Sequence, residues 1–421
     1  MAQQRVDLRL LSQRVAAILS TFALLVCVVV AQPESPVTRV LFVGNSYVYF
    51  NNLPEILTKL AEVGLQRRIE TRMIAPGGWR LKDHWEKGEA LKALHESKWD
   101  YVVLQDQSTL GVNYYLEGKP RITTDEIFRP YAIKWAAEIR KAGGSPVFYL
   151  TWARRATPED QAALNYAYMR SARDSGSLVA PVGPAWSRLR QRQPAIELFA
   201  GDGSHPSPTG SYLAALTLYA TLFQKSPLGL PAKIQGIPVN LETARPEPEK
   251  TAVLVDLPPA QAQAIQAAAW ESYQQLKRNG GYLKVSPVPA PMPPPLPAGA
   301  ELSVEGLAGT WKGQILFYPA GPVEMVLRLQ HDGAAWKGHL ELKYNSKDFT
   351  DESFDLQDLA VSKRELTFSN PKSVGVDNLK VNFRGVSPRS GELGGIADTT
   401  LITPNSPVPV RLFGTWQLKR K

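Results

Sequence analysis

A serine, a histidine and an aspartate stand where an α/β chain can bring them together for attack on a carbonyl. Ser46 follows the apolar run VLFVG at residues 40–44, and after it Leu53, Ile56, Leu57 and Leu60 recur at helical spacing behind Pro54. The serine therefore sits in a turn between a buried strand and a helix, the place where open α/β sheets bind ligands. A serine in that position also serves as a helix cap, so chemistry requires a partner base. Histidine takes and returns a proton near neutral pH, and the chain has five. His84 and His95 fall in helical stretches and His331 and His339 in a later β-rich region. That leaves His205, in the loop GDGSHPSPTG at residues 201–210. Asp202, three residues earlier, can curl back to the imidazole nitrogen that faces away from the serine and fix its tautomer.

The elements that would position these groups alternate strictly. Strand-like runs at residues 40–44, 68–75, 100–104, 146–152 and 178–182 are separated by amphipathic stretches, and helical patterns follow at about 208–223 and 259–276. This predicts a five-stranded, flavodoxin-like doubly wound parallel sheet over residues 37–282, with Ser46 and the 201–210 loop at one edge. Residues 287–297 (PVPAPMPPPLP) carry seven prolines in eleven positions, too many missing N–H donors for helix or sheet. An extended linker over 283–300 follows, across which few contacts are expected. Residues 301–421 alternate apolar and polar positions at 310–316, 323–329, 336–342, 365–368, 379–383 and 408–418, which predicts an antiparallel β domain, barrel or sandwich. Trp311-Lys312-Gly313 recurs as Trp336-Lys337-Gly338, and Gly309-Thr310-Trp311 as Gly414-Thr415-Trp416. The tryptophans read as core fillers, or as a surface for glycan contact.

Composition narrows the function. Residues 15–31 (VAAILSTFALLVCVVVA) are apolar and preceded by Arg5, Arg9 and Arg14, which predicts a signal peptide over 1–31 and a secreted or periplasmic protein, an N-terminal membrane anchor being the alternative. The single cysteine, Cys27, belongs to that segment, so disulfides and thiolate chemistry are not expected beyond it. The net charge of +9 is scattered rather than clustered, unlike a nucleic-acid footprint. The turn after the first strand lacks the glycine pattern of a nucleotide-binding loop, and no two histidines are spaced to share a metal, so neither cofactor nor metal is expected.

In these blocks the chain resembles the SGNH (GDSL-type) hydrolase superfamily over about residues 39–223. The resemblance implies Ser46 as nucleophile, His205 as base and Asp202 as its orienter. It further implies oxyanion donors from the Ser46 N–H, from Gly77 or Gly78 in Ala75-Pro76-Gly77-Gly78-Trp79, and from a third block. Two departures stand out. The first block reads Gly44-Asn45-Ser46, with asparagine for the usual aspartate. The third reads Gln105-Asp106-Gln107-Ser108 and has no asparagine at the donor position, so Gln107, with the same carboxamide one methylene farther out, is either the third donor or a structural residue. Tyr47, Tyr49, Trp79, Trp85, Trp152 and Trp186 fall near strand ends and together would put aromatic surface around the site, although each taken singly reads first as loop or helix packing; Arg154 and Arg155, after the fourth strand, read first as solvated surface charges and second as groups that meet an anionic substrate. The reading reached is a serine esterase acting on small, acetyl-like acyl groups, with acylated carbohydrate as first substrate class and lipid acyl esters second. The rival is a non-catalytic glycan- or partner-binding protein on the same scaffold.

Overall fold

A computed structural model describes residues 37–112, 114–293, 295–296, 298–317, 321–345, 350–371, 380–403 and 406–421. The apolar segment at 15–31, with Cys27, and part of the strand expected at 379–383 lie outside these residues. No helix among the described residues is long and apolar enough to cross a membrane.

The first half of the chain forms a five-stranded, all-parallel sheet of β1 (Thr38–Val43), β2 (Ile69–Ile74), β3 (Tyr101–Leu104), β6 (Ser145–Tyr149) and β7 (Leu178–Ala180), in the order β2-β1-β3-β6-β7. This is the expected doubly wound order, with β1, second from the edge, running straight into the serine turn. Strand period explains the two cores. Val40 and Phe42 point into one apolar layer, with Leu57, Leu60 and the helix Pro208–Phe223; Leu41 and Val43 point into the other, with Phe128, Trp135 and Tyr168. The helix Pro208–Phe223 is apolar on nearly every side because it lies between the sheet and the helix Pro259–Arg278. Its threonines avoid a burial penalty by bonding back along the helix, Thr217 Oγ1 to the Leu213 carbonyl and Thr221 Oγ1 to that of Thr217, each at 2.8 Å.

The sequence reading missed two insertions. Between the last two long helices lie β8 (Lys233–Gly236), β9 (Val239–Asn240), β10 (Arg245–Pro246) and β11 (Ala252–Asp256), paired as two antiparallel ribbons. After β3 the chain makes a small hairpin, β4 (Tyr114–Leu116) and β5 (Lys119–Pro120), which turns out to matter more.

The C-terminal part is an antiparallel sheet of nine strands that nearly closes on itself: β12 (Gly309–Phe317), β13 (Gly321–His331), β14 (Trp336–Lys343), β15 (Glu352–Asp355), β16 (Gln357–Val361), β17 (Leu366–Ser369), β18 (Asn382–Val386), β19 (Glu392–Thr403) and β20 (Ser406–Arg420). Its order is β15-β14-β13-β12-β20-β19-β18-β17-β16, and its two ends meet through Leu356, whose N–H donates to the Gly338 carbonyl at 2.8 Å. Trp311 and Trp416 are 1% exposed inside it, so these two are core fillers and are not available as a glycan platform; Trp336 is half-buried.

The linker does not keep the two parts from touching. The N-terminal half of β20 lies beyond the reach of β12, and β4 pairs in parallel with that open edge, Arg411 opposite Tyr114 and Phe413 opposite Leu116. The Glu117 N–H donates to the Phe413 carbonyl at 3.1 Å, and Tyr114 donates its hydroxyl to the Pro291 carbonyl in the linker at 2.8 Å. A strand edge is a better predictor of such contacts than linker composition, which says nothing about the surfaces the linker joins.

A chain truncated after Lys284 keeps every strand of the parallel sheet and both of its cores, and is expected to fold. It loses the partner of β4, so hydrogen exchange at the Glu117 amide should accelerate about tenfold or more while that at residues 40–43 stays put. Unchanged exchange at Glu117 would mean that the pairing with β20 carries no weight.

Candidate active site

Ser46 opens a four-residue helix, Ser46–Tyr49, directly after β1. Asn45 caps it: its Oδ1 accepts from the Tyr47 N–H at 3.2 Å, and its Nδ2 donates to the Trp79 carbonyl at 2.8 Å. The second bond gives the departure at this position a physical reason, since an aspartate has no donor to offer Trp79. The turn is tight. A Cβ on Gly44 would sit 2.6 Å from Gln105 Oε1, the atom that accepts from the Asn45 N–H at 2.9 Å.

The loop before Pro208–Phe223 brings His205 to the serine. His205 Nε2 is 2.8 Å from Ser46 Oγ, and His205 Nδ1 is hydrogen-bonded to Asp202 Oδ2. Asp202 Oδ1 also accepts from the N–H groups of Ser204 and His205, both at 2.9 Å. Burial works against ionising this carboxyl, but the bond from the His205 ring and the two backbone donors outweigh it and hold Asp202 below the usual carboxylate range. An ionised Asp202 keeps the His205 proton on Nδ1, which leaves Nε2 as an acceptor aimed at the serine. Phe50 stacks on the imidazole at 4.1 Å between centroids and Tyr47 meets it edge-on at 5.6 Å, which fixes the ring plane. The pattern Asp-x-x-His gave no hint of Phe50.

Two loops face this pair. Gly78 has φ +73°, a conformation that strains any side chain bearing a Cβ, and neither the Gly77 nor the Gly78 N–H has an acceptor among the described residues. In the third block, Gln107 Oε1 accepts from both the N–H and the hydroxyl of Thr109 at 2.6 Å, so its amide nitrogen is the end left to donate. No acceptor for Gln107 Nε2 occurs among the described residues.

Three buried groups that sequence reasoning passed over tie these loops together. Gln105 reaches from the end of β3 to the Ser46 turn. Asp106 Oδ2 accepts from the Leu81 N–H at 2.8 Å and its Oδ1 from the Gln107 N–H at 2.7 Å, so one carboxyl joins the glycine loop's exit to the third block. Burial pushes this carboxyl up to about 7, against those two donors. His84, read from sequence as an ordinary helical residue, is fully buried and bonds through Nε2 to the Gly44 carbonyl at 2.7 Å, beneath Trp79. Spacing alone could not find it, because helical periodicity marks it only as an inward position.

Of the two aromatic readings, packing holds for most of these rings. Tyr47, Trp152 and Trp186 form a buried face-to-face stack, with centroids 4.7 and 3.8 Å apart, under the histidine loop, and Trp152 Nε1 donates to the Ser204 carbonyl at 3.0 Å. Tyr49 is buried as well, and Trp85 packs edge-on against Trp135 with Lys134 over its face. Trp79 is half-buried. The rings serve chiefly to support the loops, with about 2–3 kcal/mol from burying each large apolar side chain. Among the described residues no group of three or more acidic or histidine side chains is placed to hold a metal.

The sheet order β2-β1-β3-β6-β7, with Ser46 after the first strand and the Asp202–His205 loop before the helix Pro208–Phe223, is a flavodoxin-like doubly wound arrangement with both loops at one edge. No family model matches the chain and no curated protein matches it. Solved structures similar to it include a DUF4886 family protein from Bacteroides uniformis, 20% identical, covering 57% of this chain and 95% of that one at a TM-score of 0.42. TesA is 16% identical over 44% of this chain and 98% of its own, at 0.34. A variant of Axe2, an acetylxylan esterase from Geobacillus stearothermophilus, is 12% identical over 46% of this chain and 95% of its own, also at 0.34.

Burial holds the His84 ring down at about 4, against the pull of the Gly44 carbonyl and Asp83, while the unfolded ring keeps its ordinary 6.5. The unfolded state then binds the extra proton, so this contribution is complete above pH 6.5 and is lost as pH falls from 6.5 through 4. His84→Gln keeps an N–H for Gly44 without the titration. Its unfolding free energy should fall less steeply between pH 7 and 4, by about 3 kcal/mol, in chemical denaturation. Equal slopes in the two proteins would contradict the assignment.

Proposed function

We propose that the protein is an exported serine esterase that removes small, acetyl-like acyl groups from an acylated carbohydrate. The observation that carries this is the unbroken chain Ser46 Oγ, His205 ring, Asp202 carboxylate, drawn from two loops at one sheet edge. In this reading His205 Nε2 takes the Ser46 proton as Oγ attacks the ester carbonyl, and Asp202 stabilises the imidazolium that results. The negative charge on the carbonyl oxygen is met by the Ser46 N–H, a donor from Gly77 or Gly78, and Gln107 Nε2. His205 then returns the proton to the leaving alkoxide. Water, deprotonated by the same nitrogen, releases the acid from the acyl enzyme. Export rests on the apolar segment at 15–31. Carbohydrate is preferred over lipid because the cleft beside Asp202 offers charged groups to a polar substrate, its lining including Arg154, Arg155, Glu197 and Asp202 itself.

Ser46→Ala and His205→Ala should each reduce hydrolysis of p-nitrophenyl acetate by about 10⁴-fold or more with little change in melting temperature. Gln107→Ala should lower kcat by on the order of a hundredfold with KM nearly unchanged, since its bond strengthens only as charge develops. A folded Ser46→Ala protein that hydrolyses the ester at the unmodified rate would refute the esterase. A Gln107→Ala protein with the full kcat would restrict the oxyanion donors to backbone groups.

A further inference from the structure

The cleft beside the histidine loop contains a positive charge, that of Arg154, with no carboxylate partner among the described residues. Its volume is about 650 Å³, of sugar-ring scale, and its lining includes Pro120, Arg154, Arg155, Phe199, Asp202 and Ser204. Charges in it are otherwise matched. Arg155 pairs with Glu197 at 2.8 Å and Asp202 with His205. Arg154 has no carboxylate within 4.0 Å among the described residues; its only partner there is the Ser108 hydroxyl, which accepts from Nε at 3.0 Å and from one Nη at 2.8 Å. The other Nη is left over.

Position ties this guanidinium to the reacting groups. Ser108 follows Gln107 in the chain, and the Arg154 loop is fastened to the histidine loop by the Arg155 N–H, which donates to the Gly203 carbonyl at 2.8 Å. Tyr47, next to the nucleophile, bonds through its hydroxyl to Ser204 Oγ at 2.8 Å. Burial pushes that hydroxyl's titration up, and the Arg154 charge opposes it, which places the guanidinium within electrostatic reach of the site. A half-buried arginine held by a neutral hydroxyl has been partly desolvated without recovering a charge-assisted bond, and a ligand anion would supply one.

From this we infer that Arg154 is a specificity residue that binds a carboxylate on the substrate, so that the preferred ester is an O-acylated sugar acid; this rests on the esterase reading above. One planar guanidinium matches one planar, singly charged carboxylate. A phosphate monoester, with charge near −2, would leave excess negative charge facing Asp202.

The test compares 6-carboxy and 6-hydroxymethyl forms of one substrate, mono-O-acetyl glucuronate and mono-O-acetyl glucose, on the full chain. The unmodified protein should favour the acid in kcat/KM by about tenfold or more, Arg154→Gln should bring the ratio close to one, and Arg154→Lys should keep part of the preference. A merely structural Arg154 would lower both substrates together and leave the ratio where it was, which would overturn the inference, as would an unmodified protein that favours the neutral sugar. Titration calorimetry of glucuronate and glucose with the Ser46→Ala protein separates the two readings, because it needs no turnover. Glucuronate binding that Arg154→Gln removes supports the subsite even if no ester is cleaved, and equal affinity for both sugars overturns it even if esters are.

Discussion

The contact on which the rest depends is the hydrogen bond between Ser46 Oγ and His205 Nε2, which closes at 2.8 Å across 159 residues of chain. Neither residue is held by its own neighbours alone. Ser46 is placed by the end of β1 and the Asn45 cap, and His205 by Asp202, the two flanking rings and the Trp152 bond beneath its loop. A misplacement of one ångström at either end would remove the proton-transfer geometry, so much of the buried polar structure reads as apparatus for holding that distance.

That apparatus is costly by itself. Gln105, Asp106 and His84 are buried polar side chains, each of which would weaken the fold if left unbonded. Each bonds a loop at the sheet edge, the Asn45 N–H, the Leu81 and Gln107 N–H groups and the Gly44 carbonyl, which offsets part of that cost, while Nδ1 of His84 stays without a partner among the described residues. The fold thereby trades some stability for loops that cannot drift relative to one another. The hairpin of β4 and β5 extends this restraint to the second domain, since it leaves the third block and ends on the open edge of β20.

Much of this was legible in the sequence. All five parallel strands fell close to where they were expected: short apolar runs between helical patterns mark β1, β3 and β6, which are buried on both faces, while the edge strand β2 was placed by its position between two helical stretches. The serine turn and the Asp-x-x-His loop were legible for a similar reason: both are local, and their residue types are rare in such places. What could not be read is what depends on pairs distant in sequence. Gln105 meeting Asn45, Asp106 meeting Leu81, and Tyr114 meeting Arg411 have no local signature. The tryptophans were open to two readings, packing and a sugar-facing surface, and packing holds for Trp152 and Trp186. Their spacing put Trp152 and Trp186 near strand ends, but a ring that can stack on a sugar can also stack on another ring, and the stack on Tyr47 buries them both. The barrel strands Glu352–Asp355, Gln357–Val361 and Glu392–Thr403 escaped notice because an antiparallel strand with one wet face needs few apolar residues.

The central claim is that Ser46 is a nucleophile activated by His205, and covalent trapping tests it most directly. The full chain would be treated with a fluorophosphonate at neutral pH, digested, and its adducts mapped by mass spectrometry. The account predicts a single adduct, on Ser46, that forms in the unmodified protein and fails to form at a measurable rate in His205→Ala. A folded protein that takes up no label at Ser46, or one labelled there equally fast without His205, would contradict it.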